Sequence, residues 1–415
     1  MSQLYASLFY QPEVTDIFSD RALLNYMIQV EVALAKALAK VEVIPISAAT
    51  IIEQVAQNAL EAIDFDDLAV ASGLAGNIAI PFVKQFTAIV KQQDQDASRY
   101  VHWGATSQDI IDTAMILQCR DALLLIEKQL QFAYRISIKQ AQQYRNQVMI
   151  GRTWLQQALP ITLGHKFARW AAAFKRDLDR LQAMKSRVLT AQLGGAVGSL
   201  ASLGNQGSAV VQAFAAELNL TVPECTWHGE RDRITEMAAT LAIIVGNTGK
   251  MAKDWSLLMQ TEIAEVYEPT TKGRGGSSTM PHKRNPVAAA SVLAAANRIP
   301  ALMASVYQSM VQEQVNPDAM QCNLECTNGL IMAEAVMMAL ASKIGRLNAH
   351  QLVEQACQQA VNQQQHLKIT LSEMDEVNVH LSPSELNEIF KPTSYLGNIQ
   401  AQIDAVLKAA QGDSA

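Results

Sequence analysis

The chain has 415 residues, of which 49% are hydrophobic and 17% charged, and it carries a formal net charge of −6 at pH 7. This length and apolar content allow a large buried core and roughly two or three domains. The negative net charge argues against nucleic acid as a partner, and it requires any anion-binding site to be a local cluster of cations.

Signals for targeting and for disulfides are lacking in the sequence. The chain begins without a basic segment followed by an apolar run, and no apolar run approaches the ~20 residues of a membrane span. Five cysteines form an odd count without the spacing of a disulfide framework. We therefore expect a reduced, cytoplasmic protein without a membrane partner.

Helical periodicity dominates the predicted elements. The first clear helix is predicted after Ser19 and Asp20, which can cap it, and the second at about residues 47–59. A late helix is predicted to begin at Ser382, with Glu385 at its third position. Long helices are predicted over residues 113–146, 169–191, 231–265, 288–314 (kinked at Pro300) and 322–347, and a shorter one over 351–365.

The most regular apolar stripe lies in residues 231–265, where apolar side chains recur every three or four positions. A stripe of this length needs other long helices beside it. No alternating strand pattern is comparably clear, so the predicted fold is all-α, a bundle of long helices. We predict an N-terminal helical domain at 1–112, a central long-helix domain at 113–348 and a small C-terminal domain at 349–415.

The most unusual segment is the loop at residues 272–287, KGRGGSSTMPHKRNPV. Its three glycines permit unusual backbone conformations, its two prolines forbid a regular helix, and it carries four fixed cations. A cationic lid over an anion is one interpretation, and a solvated connection between helices is the other. A nucleotide P-loop fits less well, because no G-x-x-x-x-G-K-[ST] pattern occurs and no strand precedes the loop.

Residues 276–286, GSSTMPHKRNP, resemble the signature of the fumarase/aspartase superfamily. Those enzymes make or break a C–O or C–N bond next to a carbon that a neighbouring carboxylate acidifies. The resemblance implies that Ser277 is the catalytic proton-transfer residue on a mobile loop. It also implies that Lys283 and Asn285 hold a substrate carboxylate.

A second motif, residues 101–114 (VHWGATSQDIIDTA), precedes a predicted long helix. Thr106 or Ser107 could simply cap that helix, or the free N–H groups there could favour an anion. The motif resembles the first signature region of the superfamily, which implies that both hydroxyls bind a substrate carboxylate, with Gln108 as a weaker candidate. His102 matches a histidine of the adenylosuccinate-lyase branch, which implies a substrate contact, although a lone histidine is more often structural.

A third motif, residues 151–166 (GRTWLQQALPITLGHK), resembles the second signature region, where many members carry a catalytic histidine after Arg-Thr. This chain has Trp154 there, and an indole cannot transfer a proton at neutral pH. The GRTWLQ pattern, with Tyr395-Leu396-Gly397 near the end of the chain, is similar to the carboxymuconate-cyclising branch. That likeness implies that Trp154 and Gln156 contact the substrate, whereas the simpler interpretation is that Trp154 fills an apolar gap.

Two regions are less specific. Residues 192–200 resemble the superfamily's Gly-rich turn, although alone they would indicate only a tight bend. In residues 228–233, Arg231 or Arg233 could bind a substrate carboxylate with two hydrogen bonds, or could pair with nearby acidic side chains on the surface.

The resemblance covers residues 8–407 and implies a small polycarboxylate substrate, 3-carboxy-cis,cis-muconate, which would be closed to a carboxymuconolactone. It implies no metal and no organic cofactor. It further implies a homotetramer in which long helices of four subunits form a common bundle and each site combines several chains. Two alternatives stay open, an elimination of the adenylosuccinate-lyase type and a non-catalytic helical relative.

Overall fold

The computed structural model describes residues 8–269, 275–276, 280, 283–311 and 326–412. These residues are predominantly helical, which confirms the predicted all-α fold. The α-helices are α1 Pro12–Ile17, α2 Asp20–Lys40, α3 Ile46–Ala62, α4 Phe65–Ala75, α5 Ala79–Gln93, α6 Ser107–Gln143, α7 Leu163–Val188, α8 Gly207–Leu218, α9 Asp232–Leu258, α10 Val287–Gln308, α11 Ala333–Ile344, α12 Arg346–Gln363, α13 Leu367–Ser372, α14 Asp375–Asn378, α15 Pro383–Ile389 and α16 Ile399–Gly412.

One β-hairpin interrupts the helices. Strand β1 (Val148–Thr153) pairs antiparallel with β2 (Gln156–Thr162), and Thr153 lies opposite Gln156. The sequence pattern does not predict this hairpin. Most of β2 is exposed on both faces, so the strand lacks the alternation that one buried face would impose.

The predicted caps at two helix starts are confirmed. The Ser19 hydroxyl accepts a hydrogen bond from the Ala22 N–H at 3.2 Å and begins α2. At α15, Ser382 and Glu385 form a capping box, in which each side chain accepts the backbone N–H of the other residue.

Several predicted boundaries are wrong. Helix α6 begins at Ser107 and not at 113, α7 begins at Leu163 and not at 169, and α11 begins only at Ala333. Helix α9 ends at Leu258 and not near residue 265, because the Glu265 N–H bonds back to the Leu258 carbonyl and closes the helix end. The helix predicted over 322–347 is interrupted at Gly345, whose φ of +81° only glycine adopts readily. Residues 312–325, which include the end of one predicted long helix and the start of the next, lie outside the described residues.

The chain divides into two compact units. Unit 1 comprises Met1–Phe18, Cys119–Val188 and Glu230–Gln312. Unit 2 comprises Ser19–Gln118, Leu189–Gly229 and Glu313–Ala415. The three-domain division stays a prediction.

Each unit has its own packing. In unit 2 the core includes fully buried Leu34, Leu38 and Phe214 from α2 and α8. In unit 1, the buried Asp177 of α7 accepts two hydrogen bonds from Asn247 of α9, at 2.8 and 2.9 Å, and burial raises the pKa of Asp177. These contacts fix α7 against α9.

Among the described residues, two helices, α2 and α10, reach the length and hydropathy of a membrane span. This finding corrects the expectation that no apolar run approaches that length. The apolar stretch of α2 is 61% buried, as in a core helix, whereas that of α10 is only 6% buried within the chain. The exposed apolar surface of α10 therefore needs a separate explanation.

Candidate active site

The predicted hydroxyl pair lies in unit 2, at the start of α6. The Thr106 N–H donates to the Asp109 carboxylate at 2.9 Å, so an aspartate satisfies this backbone group at the helix start. The hydroxyls of Thr106 and Ser107 form no hydrogen bond with any other described residue. They are therefore available to a ligand at the positive end of the helix dipole, as the carboxylate-binding interpretation requires.

Asp109 joins this segment to the Gly-rich turn. Its carboxylate is fully buried and accepts five hydrogen bonds, which keep a buried negative charge satisfied. The donors are Thr106 N, Gly194 N (2.8 Å), Gly195 N (3.0 Å), Gln192 Nε2 (3.2 Å) and His228 Nε2 (2.9 Å). Asp109 is not among the site residues predicted from the sequence.

His102 is held by a buried carboxylate from α2. Its ring Nδ1 lies 2.6 Å from Glu31 Oε1, and its backbone N–H donates to Glu31 Oε2 at 3.0 Å. His102 has a φ of +58°, in the left-handed region, and both side chains are buried. Because a carboxylate only accepts hydrogen bonds, Nδ1 carries a proton, and no described residue bonds to Nε2.

Arg346 supports this pair from α12. Its guanidinium donates to the Val101 carbonyl at 3.4 Å. Burial lowers the pKa of Arg346, and the carboxylates of Glu31 and Glu334 oppose that shift. Burial also raises the pKa of Glu334, which Arg346 opposes in turn. Glu31 thus has a cationic neighbour, and its negative charge is compensated inside unit 2.

The Trp154 position lies at the tip of the hairpin in unit 1. Trp154 and Leu155 have φ values of 51° and 60°, as in a type I′ turn, and their exposed fractions are 96% and 74%. This turn type favours Asn-Gly, so two bulky residues there are strained. Gln156 is also exposed. Trp154 fills no apolar gap within the described part of the chain.

Arg152, on β1, anchors the hairpin. Its guanidinium makes two hydrogen bonds to the Glu265 carboxylate, at 2.9 and 2.6 Å. This pair raises the pKa of Arg152 and lowers the pKa of Glu265.

The two candidate arginines differ in environment. Arg231 is the N-cap residue of α9 and is half-buried. Arg233 donates to the Arg187 carbonyl at 2.5 Å, so its guanidinium already supports the protein backbone. A substrate contact of either arginine stays a prediction.

The loop at 272–287 is described in part. The Asn285 N–H donates to Gly275 O at 2.9 Å, and its side-chain amide donates to Gly276 O at 3.2 Å, so Asn285 folds the loop back on itself. Lys283 is exposed. The predicted catalytic Ser277 lies outside the described residues.

The predicted site residues divide between the two units. Unit 2 holds His102, Thr106 and Ser107 within one short segment. Unit 1 holds Trp154, Gln156, Arg231, Lys283 and Asn285.

The buried partners Glu31 and Arg346 are not among the residues predicted from the sequence. Glu31 could have been found, because it lies on the apolar stripe of α2 between Met27 and Leu34, where an acidic residue is out of place. Among the described residues, no three His, Cys, Asp or Glu side chains come together as a metal site requires.

Comparisons with known proteins identify the family of the chain. A family model described as "Lyase" matches residues 9–301, and one described as "Adenylosuccinate lyase C-terminus" matches residues 329–406. The 3-carboxy-cis,cis-muconate cycloisomerase of Acinetobacter baylyi is 66% identical, covering 100% of both chains. That of Bradyrhizobium diazoefficiens is 42% identical, covering 100% of this chain and 99% of its own. The crystal structure of beta-carboxy-cis,cis-muconate cycloisomerase from Acinetobacter calcoaceticus sp. ADP1 matches with a TM-score of 0.71 at 63% identity, covering 98% of this chain and 100% of that one.

Proposed function

The chain belongs to the fumarase/aspartase superfamily of lyases, and we propose that it closes 3-carboxy-cis,cis-muconate to a carboxymuconolactone in the breakdown of aromatic acids. The observation that carries this proposal is the 66% identity over the full length of the Acinetobacter baylyi cycloisomerase. The tryptophan at position 154, where many superfamily members carry a proton-transferring histidine, supports the same reaction.

The reaction consists of one intramolecular addition and one proton transfer. A carboxylate oxygen of the substrate forms a C–O bond to one carbon of a conjugated double bond, and the π electrons move toward the neighbouring carboxylate. Ser277 then gives a proton to the carbon next to that carboxylate and recovers a proton from solvent. Substrate and product are isomers, so no other reactant is consumed.

The developing charge on the substrate carboxylate needs hydrogen-bond donors and cations around it. We assign this role to Thr106 and Ser107, whose hydroxyls bond to no other described residue, and to Lys283 and Asn285. The further substrate contacts in the proposal are His102, Trp154, Gln156 and Arg231.

The loss of the histidine at Trp154 fits this chemistry. The attacking oxygen is already an anion, and in the reverse direction the leaving group is a carboxylate, so the oxygen needs no acid. An adenylosuccinate lyase expels a more basic nitrogen and needs an acid, which an indole cannot supply. The elimination alternative is therefore less favoured.

We place the enzyme in the cytoplasm as a homotetramer. The exposed apolar surface of α10 supports an assembly, because soluble monomers rarely expose an apolar surface of such length. Copies of the chain would cover α10, and each site would combine segments from several copies.

The test is turnover of 3-carboxy-cis,cis-muconate by the purified protein without added metal, followed by loss of the conjugated-diene absorbance. We expect rapid loss and a decrease in kcat of roughly 10²- to 10⁴-fold in Ser277→Ala, because the proton donor to carbon is removed. Ser278→Ala is the matched control and should retain most of the activity. Turnover of adenylosuccinate alone would replace the proposal with the elimination, and inactivity with both would favour a non-catalytic relative.

A further inference from the structure

The imidazole of His228 packs against Asp109 and the Gly-rich turn (residues 192–200) within unit 2. Its Nε2 lies 2.9 Å from Asp109 Oδ1. A Cβ atom at Gly194 would lie 2.7 Å from the ring Cε1, and one at Gly198 would lie 3.6 Å from Nδ1. A side chain at position 194 would therefore collide with the ring, so the close approach of the imidazole explains why glycine occupies this position.

The His228 ring is only partly enclosed. The His228 side chain is 18% exposed, whereas that of Asp109 is fully buried. Asp109 accepts the Nε2 proton, and no described residue bonds to Nδ1. The ring is therefore fixed through Nε2, while Nδ1 has no hydrogen-bond partner among the described residues.

His228 belongs to the same hydrogen-bonded cluster as the segment that carries the hydroxyl pair. Asp109 Oδ2 accepts the Thr106 N–H, while Oδ1 of the same carboxylate accepts the His228 ring. The Gln108 side chain also donates to the His228 carbonyl at 3.0 Å. Two independent contacts thus tie His228 to the segment that we assign to substrate binding.

We infer that His228 binds a carboxylate of the substrate through Nδ1 and that Asp109 is its positioning residue. The inference rests on the proposed function for its ligand, a tricarboxylate. When both ring nitrogens are protonated, Nδ1 donates a charge-assisted hydrogen bond to the substrate. The hydroxyl pair of unit 2 holds one carboxylate, and His228 supplies a donor for another carboxylate of the same substrate.

The test compares two amide variants of His228. In His228→Gln, the amide nitrogen replaces Nε2, keeps the bond to Asp109 and removes the substrate-facing donor. In His228→Asn, the amide nitrogen replaces Nδ1, so it keeps that donor and loses the bond to Asp109. We expect His228→Gln to raise KM for 3-carboxy-cis,cis-muconate about 10- to 100-fold with kcat changed less than about threefold, because a hydrogen bond to a charged group is lost. We expect His228→Asn to recover part of this loss.

The control and a second readout separate this role from a structural one. His350 lies on the surface 3.9 Å from Glu354, and His350→Gln should leave KM unchanged. Citrate, a tricarboxylate that cannot cyclise, should bind the wild-type protein in calorimetry and bind His228→Gln 10- to 100-fold more weakly. The melting temperatures of both His228 variants should stay close to that of the wild type.

Unchanged KM and unchanged citrate affinity in His228→Gln would overturn the inference. Losses in both His228 variants that follow a fall in melting temperature would also overturn it, since the ring would then only brace the turn. If the wild type does not convert 3-carboxy-cis,cis-muconate but His228→Gln still weakens citrate binding, the proposed function fails and the carboxylate contact stands.

Discussion

Glu31 is an acidic residue on the apolar face of a core helix, and its burial explains the fixed orientation of His102. The carboxylate contacts both the ring and the backbone N–H of His102, and Arg346 compensates its charge. Removing one member of a buried group of charges lowers the free energy of unfolding by more than the whole group contributes to it, because the remaining charge has no partner.

Arg346→Leu should lower the free energy of unfolding by about 3–5 kcal/mol, because Glu31 would stay buried without its cation. Urea denaturation measures the change. The control is Arg187→Leu, which removes an exposed arginine paired with Glu236 and should have no measurable effect. A small and equal effect of both substitutions would contradict the charge compensation that we describe.

The Arg152–Glu265 pair predicts a pH dependence. Arg152 lowers the pKa of Glu265 below its ordinary value of 4.5, so the pair stabilises the folded state above pH 4.5 and loses this effect as the pH falls through the lowered pKa. Arg152→Gln should cost about 1 kcal/mol or less at pH 7, and the difference from wild type should shrink below pH 4.5. Unfolding free energies at pH 7 and pH 3.5 test this, and an equal difference at both would contradict it.

Sequence motifs identify candidate ligand contacts more readily than the residues that position them. Thr106 and Ser107 belong to one short motif, and their hydroxyls form no hydrogen bond with any other described residue. Glu31, in contrast, precedes His102 by 71 positions, and Asp109 precedes His228 by 119. Such partners come together only when the helices pack, so a local pattern contains no trace of the pairing.

The hairpin is the element that most clearly departs from ordinary local preference. A two-residue turn with two positive φ values normally contains Asn or Gly, yet this turn contains Trp154 and Leu155, both exposed. Strain of this kind persists where function requires the side chain. We therefore interpret the turn as an element that holds the Trp154 indole in its exposed position.

Trp154→Asn combined with Leu155→Gly should raise the free energy of unfolding by about 1–2 kcal/mol, because the turn strain is relieved. The same variant should lose activity toward 3-carboxy-cis,cis-muconate, since the indole is removed. Leu155→Gly alone is the matched control and should keep both Trp154 and the activity. Lower stability with full activity in the double variant would contradict this interpretation of the hairpin.

Helices and strands differ in how well the sequence predicts them. The long helices have one buried face and a 3.6-residue repeat, so α2, α6, α7 and α9 could be predicted to within a few residues at most ends. The hairpin has no buried face, and the break at Gly345 depends on a glycine conformation and not on hydropathy. Neither the hairpin nor this break can be predicted from hydrophobic periodicity.

At the scale of the whole molecule, α10 is the feature that the single chain leaves unexplained. Only 6% of its apolar stretch is fully buried within the chain, and Leu302 on it is 54% exposed. An assembly of copies would cover this surface, as the proposed homotetramer does.

Leu302→Glu should therefore shift the protein to a smaller species, because a charge would be buried between copies. Size-exclusion chromatography with light scattering measures the mass. Leu74→Glu on α4, at a position that is 87% exposed, is the control and should leave the mass unchanged. A wild-type monomer, or a Leu302→Glu variant with the wild-type mass, would contradict the assembly.

The most direct test of the proposed reaction is isotopic. We would convert 3-carboxy-cis,cis-muconate with the purified protein in D₂O and, separately, in water labelled with ¹⁸O, and analyse the product by mass spectrometry and NMR. The account predicts one deuterium on the carbon next to a carboxylate and no ¹⁸O in the ring, because the ring oxygen comes from the substrate's own carboxylate. A product that gains ¹⁸O at carbon would indicate addition of water and would contradict the cyclisation.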